Sequence, residues 1–189
     1  KLIFNNDMKI GTSSLRRKLQ AKFHLNAKNI SSLNGNIDTR IKKLNDGLYD
    51  AIILSYAGIK SLKMSDQVSE IFSVEDLIPS AGQGTICLQC REDDQDIISI
   101  LKKTNHYETY QRACAERNVL KVLEGDCETA IGVHAVVQGG EIILEAELFS
   151  LDGKQRFYEK KSTKIEMAKD LGYEIGHLLK TKSNNTYKK

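Results

Sequence analysis

Apolar and polar residues alternate in two rhythms along this chain, and the change between them divides it. In the first part, short apolar segments lead into helical patterns. A strand is expected within Lys1–Ile10, followed by the run LRRKLQAKF, which predicts a helix to about Phe23. Asn29–Leu33 predicts a short strand ending at the turn Asn34-Gly35-Asn36. Ile37, Ile41 and Leu44 share one face of a second helix, closed by Asp46-Gly47. Tyr49–Leu54 is a nearly continuous apolar run, the signature of a buried parallel strand, with a short helix from about Ala57. Strand–helix repeats at this spacing predict an open, mostly parallel α/β sheet over residues 1–78. Pro79 opens the loop PSAGQGT; then Thr85–Cys90 alternates like a strand and Asp96–Lys102 like a helix. A longer helix is expected from His106 to Leu123, with Tyr107, Tyr110 and Cys114 on a stripe read as core and Glu124-Gly125-Asp126 as its cap. From Ile131 the period becomes two. IGVHAVV, Gly139-Gly140 and EIILEAELFS form a hairpin, Asp152-Gly153 turns into RFYEKK, and a last helix covers about Ile165–Leu179. Residues 105–183 thus predict a small α+β domain with a three-stranded antiparallel sheet. The polar tail 184–189 is expected to be disordered.

Composition narrows the function classes. Trp is absent and aromatics make up 6% of the 189 residues, which argues against stacking platforms for single-stranded nucleic acid. No apolar run reaches the length of a bilayer span, and no signal peptide is visible. No partnership with membrane or nucleic acid is therefore expected. The net charge is +3, but residues 1–64 hold twelve Lys and Arg against four Asp and Glu. That excess calls for an anionic partner, or for a solvated lysine-rich face. Cys87 and Cys90 form a CxxC half-site that no second pair completes, so no metal site is expected. Four cysteines in this context read as reduced thiols of an intracellular protein. The sequence opens at Lys1 without an initiator Met, which suggests a fragment or a processed product.

Candidate chemistry concentrates at IGTSSLRRKLQ. Thr12, Ser13 and Ser14 precede a helix whose first turn carries Arg16 and Arg17. Hydroxyls cap helix N-termini, but arginines there oppose the helix dipole. Together they suit a carboxylate or phosphate, although a capped basic surface helix is the simpler alternative. Ligands in open α/β sheets sit at the carboxyl ends of strands. Gly11–Arg17, Asn34–Arg40 and Ser55–Ser61 all fall there, which favours an anion site. Cys127 lies in a turn flanked by Gly125 and Gly132. Glu124, Asp126 and Glu128 around it would raise a thiol pKa, so it does not suit fast nucleophilic catalysis. It could hold a group permanently, or have no role.

The segments IGTSSLRRKLQ, SLNGNIDTRIKKLNDGLYDAIILSYAGIKSL, IPSAGQGTICLQCREDD and YETYQRACAERNVLKVLEGDCETAIG, in this order, resemble the porphobilinogen deaminase (hydroxymethylbilane synthase) family over most of residues 9–135. The resemblance implies a periplasmic-binding-protein-like α/β domain followed by the small α+β domain. It implies a transferase that joins four porphobilinogen molecules into hydroxymethylbilane, releasing ammonia, in haem and tetrapyrrole synthesis. It implies a dipyrromethane cofactor held by a thioether, here to Cys127. Ser14, Arg16, Arg17 and Arg40 fall on carboxylate-binding positions of that cofactor. Thr12, Ser13, Asn34, Gln83 and Gly84 fall near substrate. The family usually has arginine at the positions of Asn34 and Ser61; Lys42, Lys43 or Lys60 could compensate. Asp126 stands in place of a usual glycine and Ala130 in place of a usual proline. The family's first domain and its catalytic aspartate have no counterpart here, so no catalytic residue can be assigned. Residues 79–104 would return to that first domain, and the chain alone would be inactive. A monomer in the cytoplasm, or in a plastid, is implied, with porphobilinogen and polypyrrole intermediates as partners. A non-catalytic carboxylate-binding module is the alternative.

Overall fold

The computed structural model describes residues 5–188. Three short parallel strands form the first sheet in the order β2-β1-β3: β1 Lys9–Gly11, β2 Asn29–Ser31 and β3 Ala51–Ile52. Helices α1 (Leu15–His24), α2 (Ile37–Asn45) and α3 (Tyr56–Ser61) each follow one strand. The apolar run at 49–54 therefore pairs over only two residues, while Ile53 still packs with Ile10, Ala21 and Ala27 in the sheet's core. Any strand within Lys1–Phe4 lies outside the described residues.

The second sheet has the order β4-β5-β6: β4 Ile131–Gln138, β5 Glu141–Phe149 and β6 Arg156–Lys164, all antiparallel. Gly139 and Gly140 close the first hairpin with φ of 59° and 84°, the left-handed pair that a two-residue turn needs to match strand twist. One face of this sheet is covered by α5 (Tyr107–Leu123) and α6, which runs Ala168–Ser183 after a 3-10 turn at Ile165–Met167. Small residues let the two helices approach: a Cβ on Gly172 would lie 2.3 Å from the carbonyl oxygen of Ala115.

Three expectations need correction. Thr85–Cys90 forms no strand; Ile86 and Leu88 are exposed, because no free strand edge among the described residues meets them. Helix α4 (Gln95–Thr104) forms as expected, capped by Asp94, but buries no residue. The core stripe of α5 is Ala115, Val119 and Leu123, whereas Tyr107 and Tyr110 are half exposed. The tail is not free: Tyr187 is buried in the α5–α6 core, and its hydroxyl donates to the carbonyl of Leu123 at 3.0 Å.

The two domains meet along α1. Leu19 packs with Ala130 and Phe149. Glu147 on β5 is wholly buried and accepts from Gln20 at 2.8 Å, from His24 at 2.6 Å and from Arg156 of β6 at 2.5 Å. A buried carboxylate is tolerated only when matched in this way.

Candidate functional site

Helix α1 starts where the sequence pattern puts it. Ser14 is extended and its Oγ accepts from the Arg17 amide at 3.4 Å, and Thr12 Oγ1 accepts from the Ser14 amide at 3.2 Å. Two of the three hydroxyls are thus spent on the turn. Thr12 is buried and Ser13 is exposed. The first turn of α1 carries no acidic residue to complement the dipole.

The two arginines part company. Arg16 is buried, and its Nη1 donates to Gln20 Oε1 at 2.9 Å and to the Ile78 carbonyl at 2.7 Å. Burial, and then the neighbouring charge of Arg17, lower its pKa to about 10, against the attraction of Glu147. Arg16 therefore works at the domain junction as well as at the tip of β1. Arg17 reaches over the sheet: Nη1 lies 3.4 Å from the Ile53 carbonyl and Nη2 lies 3.3 Å from Gln83 Oε1. Its pKa is lowered by burial and then by the positive charge of Arg40. The tips of β1 and β2 are therefore near enough for their cations to repel.

Past β2, Asn36 caps α2 by accepting from the Thr39 amide at 2.9 Å. Arg40 Nε donates to the Gly35 carbonyl at 2.7 Å, and Lys43 Nζ to the Asn34 carbonyl at 3.0 Å. Asn34 itself is exposed. Past β3, the Ser61 hydroxyl donates back to the Ala57 carbonyl, within its own helix. Among the described residues, no carboxylate lies within ion-pair distance of Arg17, Arg40 or Lys43; the salt bridges all lie elsewhere.

Gln83 and Gly84 sit on the loop facing Arg17, and this loop is held from beneath by a residue that sequence reasoning missed. Glu116 accepts from the Gly82 amide at 2.6 Å and from the Ala135 amide at 2.9 Å. Burial raises its pKa, and those two amides and Arg112 oppose the rise. Its signal was a glutamate beside the small residue Ala115, on the face that the tyrosine stripe seemed to exclude. Arg112 Nε donates to the Ala135 carbonyl at 2.6 Å.

Two cavities flank Gln83. The larger, about 640 Å³, is lined by Arg16, Arg17 and Gln83, by the acidic Asp50 and Glu70, and by apolar residues including Ile10, Leu54 and Phe72. Its lining is mixed, with the two arginines and the two carboxylates set among aliphatic and aromatic residues. The smaller, about 240 Å³, lies between Gln83 and the Arg112, Glu116 and His134 side chains.

Cys127 is exposed. Glu124 ends α5 in the left-handed conformation. Asp126 then folds the next turn by accepting from the Glu128 amide at 2.8 Å and the Thr129 amide at 3.1 Å. These bonds, with the Thr129 hydroxyl, hold the Asp126 carboxyl below its ordinary value. The turn thus presents the thiol outward. Three residues on, Ala130 is buried against Leu19 of α1. Three Cα–Cα steps span at most about 11 Å, so Cys127 is tethered close to the helix that carries Arg16 and Arg17. The other cysteines, Cys87, Cys90 and Cys114, are also free thiols, and no group of three or more potential metal ligands occurs among the described residues. No helix there is long and apolar enough to cross a membrane.

A parallel α/β sheet with cations at its tips, joined to an antiparallel α+β domain with an exposed thiol, defines the class: a two-domain α/β protein. Residues 3–99 match the family model described as the dipyrromethane cofactor binding domain of porphobilinogen deaminase, and residues 110–181 match that enzyme's C-terminal domain. The porphobilinogen deaminases of Nostoc sp. (strain PCC 7120) and Desulforamulus reducens are each 38% identical over 171 residues, 90% of this chain and 53% and 55% of theirs. That of Blochmanniella pennsylvanica is 40% identical over 164 residues, 87% of this chain and 55% of its own. The chain belongs to the porphobilinogen deaminase family. It spans about half the length of the curated relatives it matches.

Proposed function

We propose that the chain forms the cofactor-holding and chain-holding part of a transferase that condenses four porphobilinogen molecules into hydroxymethylbilane with release of ammonia. The observation that carries this is the set of tip cations without acidic partners among the described residues, on a domain whose helix α1 packs against Ala130, three residues from an exposed thiol. Each pyrrole unit of such a chain bears two carboxylates, so the ligand's charge grows as it lengthens. Arg17 and Arg40, with the Ser14 turn, hold carboxylates; charge-assisted bonds of this kind contribute about 1.5–3 kcal/mol each. Arg16, which lines the larger cavity, shares this work while anchoring the domain junction through Gln20 and the Ile78 carbonyl. Thr12, Ser13, Asn34, Gln83 and Gly84 surround the bound pyrroles. The donor set fits a dipyrromethane, which, once attached, supplies the pyrrole carbon at which elongation starts. Cys127 holds it as a thioether, and a permanent bond needs accessibility more than a low thiol pKa.

Domain limits of 1–78 and 105–183 follow from the same reading. Residues 79–104 belong with a further lobe, consistent with the exposed Ile86 and Leu88 and with an α4 that buries nothing. That lobe would carry the catalytic carboxylate, so the 189-residue chain alone is inactive and the intact enzyme is a cytoplasmic or plastid monomer. The test is intact-protein mass spectrometry of the full-length protein with Ehrlich's reagent. An added dipyrromethane mass and colour, both lost in Cys127→Ser with the fold retained, are expected. An unmodified, colourless wild-type protein would favour a non-catalytic carboxylate-binding module, a reading that Asn34 and Ser61 favour.

A further inference from the structure

Two basic side chains of α2 behave oddly for a helix. Arg40 and Lys43 both fold back toward its N-terminal end, where the dipole is positive, and donate to the Gly35 and Asn34 carbonyls of the turn after β2. Side chains lean toward the helix N-terminus, so the direction is natural, but the electrostatics are unfavourable without an anion. Among the described residues no carboxylate pairs with either cation, and Arg40 already repels Arg17 across the tip. Lys42 and Lys60 differ. Both are exposed and stand in the last turns of α2 and α3, where the dipole favours a cation; Lys43 shares that last turn, but its ammonium reaches back to the Asn34 carbonyl.

We propose that Lys43 is a further carboxylate-binding residue, which with Arg40 forms a paired cationic subsite over the Asn34–Gly35 turn at the carboxyl end of β2. One N–H of the ammonium is tied to Asn34, which fixes its position, and two remain to reach a ligand. The Arg40 guanidinium likewise spends Nε on Gly35 and keeps its two terminal nitrogens. Because Asn34 is neutral, Lys43 brings to this turn the charge that the residue there does not. The ligand class is a pyrrole bearing two carboxylates, so the proposal rests on the function proposed above.

The experiment titrates the 189-residue chain with porphobilinogen by calorimetry, comparing wild type with Lys43→Gln, Lys43→Arg, Lys42→Gln and Lys60→Gln, and measures thermal unfolding of each. Glutamine keeps an N–H for the Asn34 carbonyl but loses the charge. Lys43→Gln is expected to weaken binding about tenfold or more and to flatten its salt dependence. Lys43→Arg should restore binding, and the Lys42 and Lys60 variants should match wild type. Equal affinity of Lys43→Gln and wild type would overturn the subsite while leaving the carboxylate clamp intact. So would weakening that tracks a fall in melting temperature and is not rescued by arginine. Failure of the wild-type chain to bind porphobilinogen at all would instead overturn the functional reading and this inference with it.

Discussion

Replacing Arg156 by Met tests how the two domains are held together. Arg156 is the one member of the Glu147 cluster contributed by β6, and its guanidinium also lies 5.0 Å from the centre of the Phe23 ring and 4.9 Å from that of Tyr158. Glu147 is wholly buried, so the change leaves its carboxylate with Gln20 and His24 alone. The lost charge-assisted bond is worth about 1.5–3 kcal/mol. The two ring contacts add about 0.5–1 kcal/mol each at partly exposed sites. Methionine replaces some of the packing, so a net loss of about 2–4 kcal/mol is expected. That is a large part of an ordinary stability of about 5–15 kcal/mol. Urea unfolding followed by circular dichroism measures it. The double variant Glu147→Leu/Arg156→Met should be more stable than Arg156→Met alone, since it removes the stranded carboxylate as well. Gln20 keeps its bond to the Ile78 carbonyl at 2.9 Å, and its second N–H, left without Glu147, offsets part of that gain. A single variant within about 0.5 kcal/mol of wild type, or strictly additive effects in the cycle, would refute the idea that Glu147 is an electrostatic tie.

Two further outcomes are expected. Gly172→Ala places a methyl group 2.3 Å from the Ala115 carbonyl oxygen and should force α5 and α6 apart, costing about 1–3 kcal/mol or more by thermal melting; an unchanged melt would show that the helices slide freely. His134 is half-buried, and burial, then Arg112, hold its pKa below the ordinary 6.5 against Glu145 and Glu75. Its contribution to stability is therefore present above pH 6.5 and lost as pH falls through the lowered value, so His134→Gln should lose less stability than wild type between pH 7.5 and pH 5.5, and parallel losses would exclude it.

The local geometry of the candidate site was more legible than the packing because its signals are local. A hydroxyl cap, two adjacent arginines and a glycine-bounded cysteine can each be read within a few residues, and the parallel order follows from strand–helix alternation. What misled were stretches whose local pattern is genuine but whose partner lies far along the chain. TICLQC alternates as a strand does, yet a strand needs an edge, and none among the described residues meets it. The stripe of α5 was read from its aromatics, but the face that packs is the one facing Gly172 and Gly176, more than fifty residues later. Small residues carry little hydrophobic signal, and their value is the close approach they allow. Tyr187 was lost in a polar tail because one buried ring is invisible to composition.

The chain treats charge in two opposite ways, at the domain junction and at the strand tips. Glu147, at the domain junction, is buried and matched on each side. Arg17, Arg40 and Lys43, at the strand tips, are tied to carbonyls and glutamine but matched by no acid among the described residues, and Arg17 and Arg40 repel. Carbonyl bonds fix direction without cancelling charge, so the cluster remains positioned and positive. For folding alone that is a cost, since a nearby aspartate would relieve it. A ligand with several carboxylates binds the native state only and returns the cost as stability that rises with its concentration. On the function proposed above, such a clamp is assembled by the fold before any ligand arrives, and the electrostatic gain is left for the ligand.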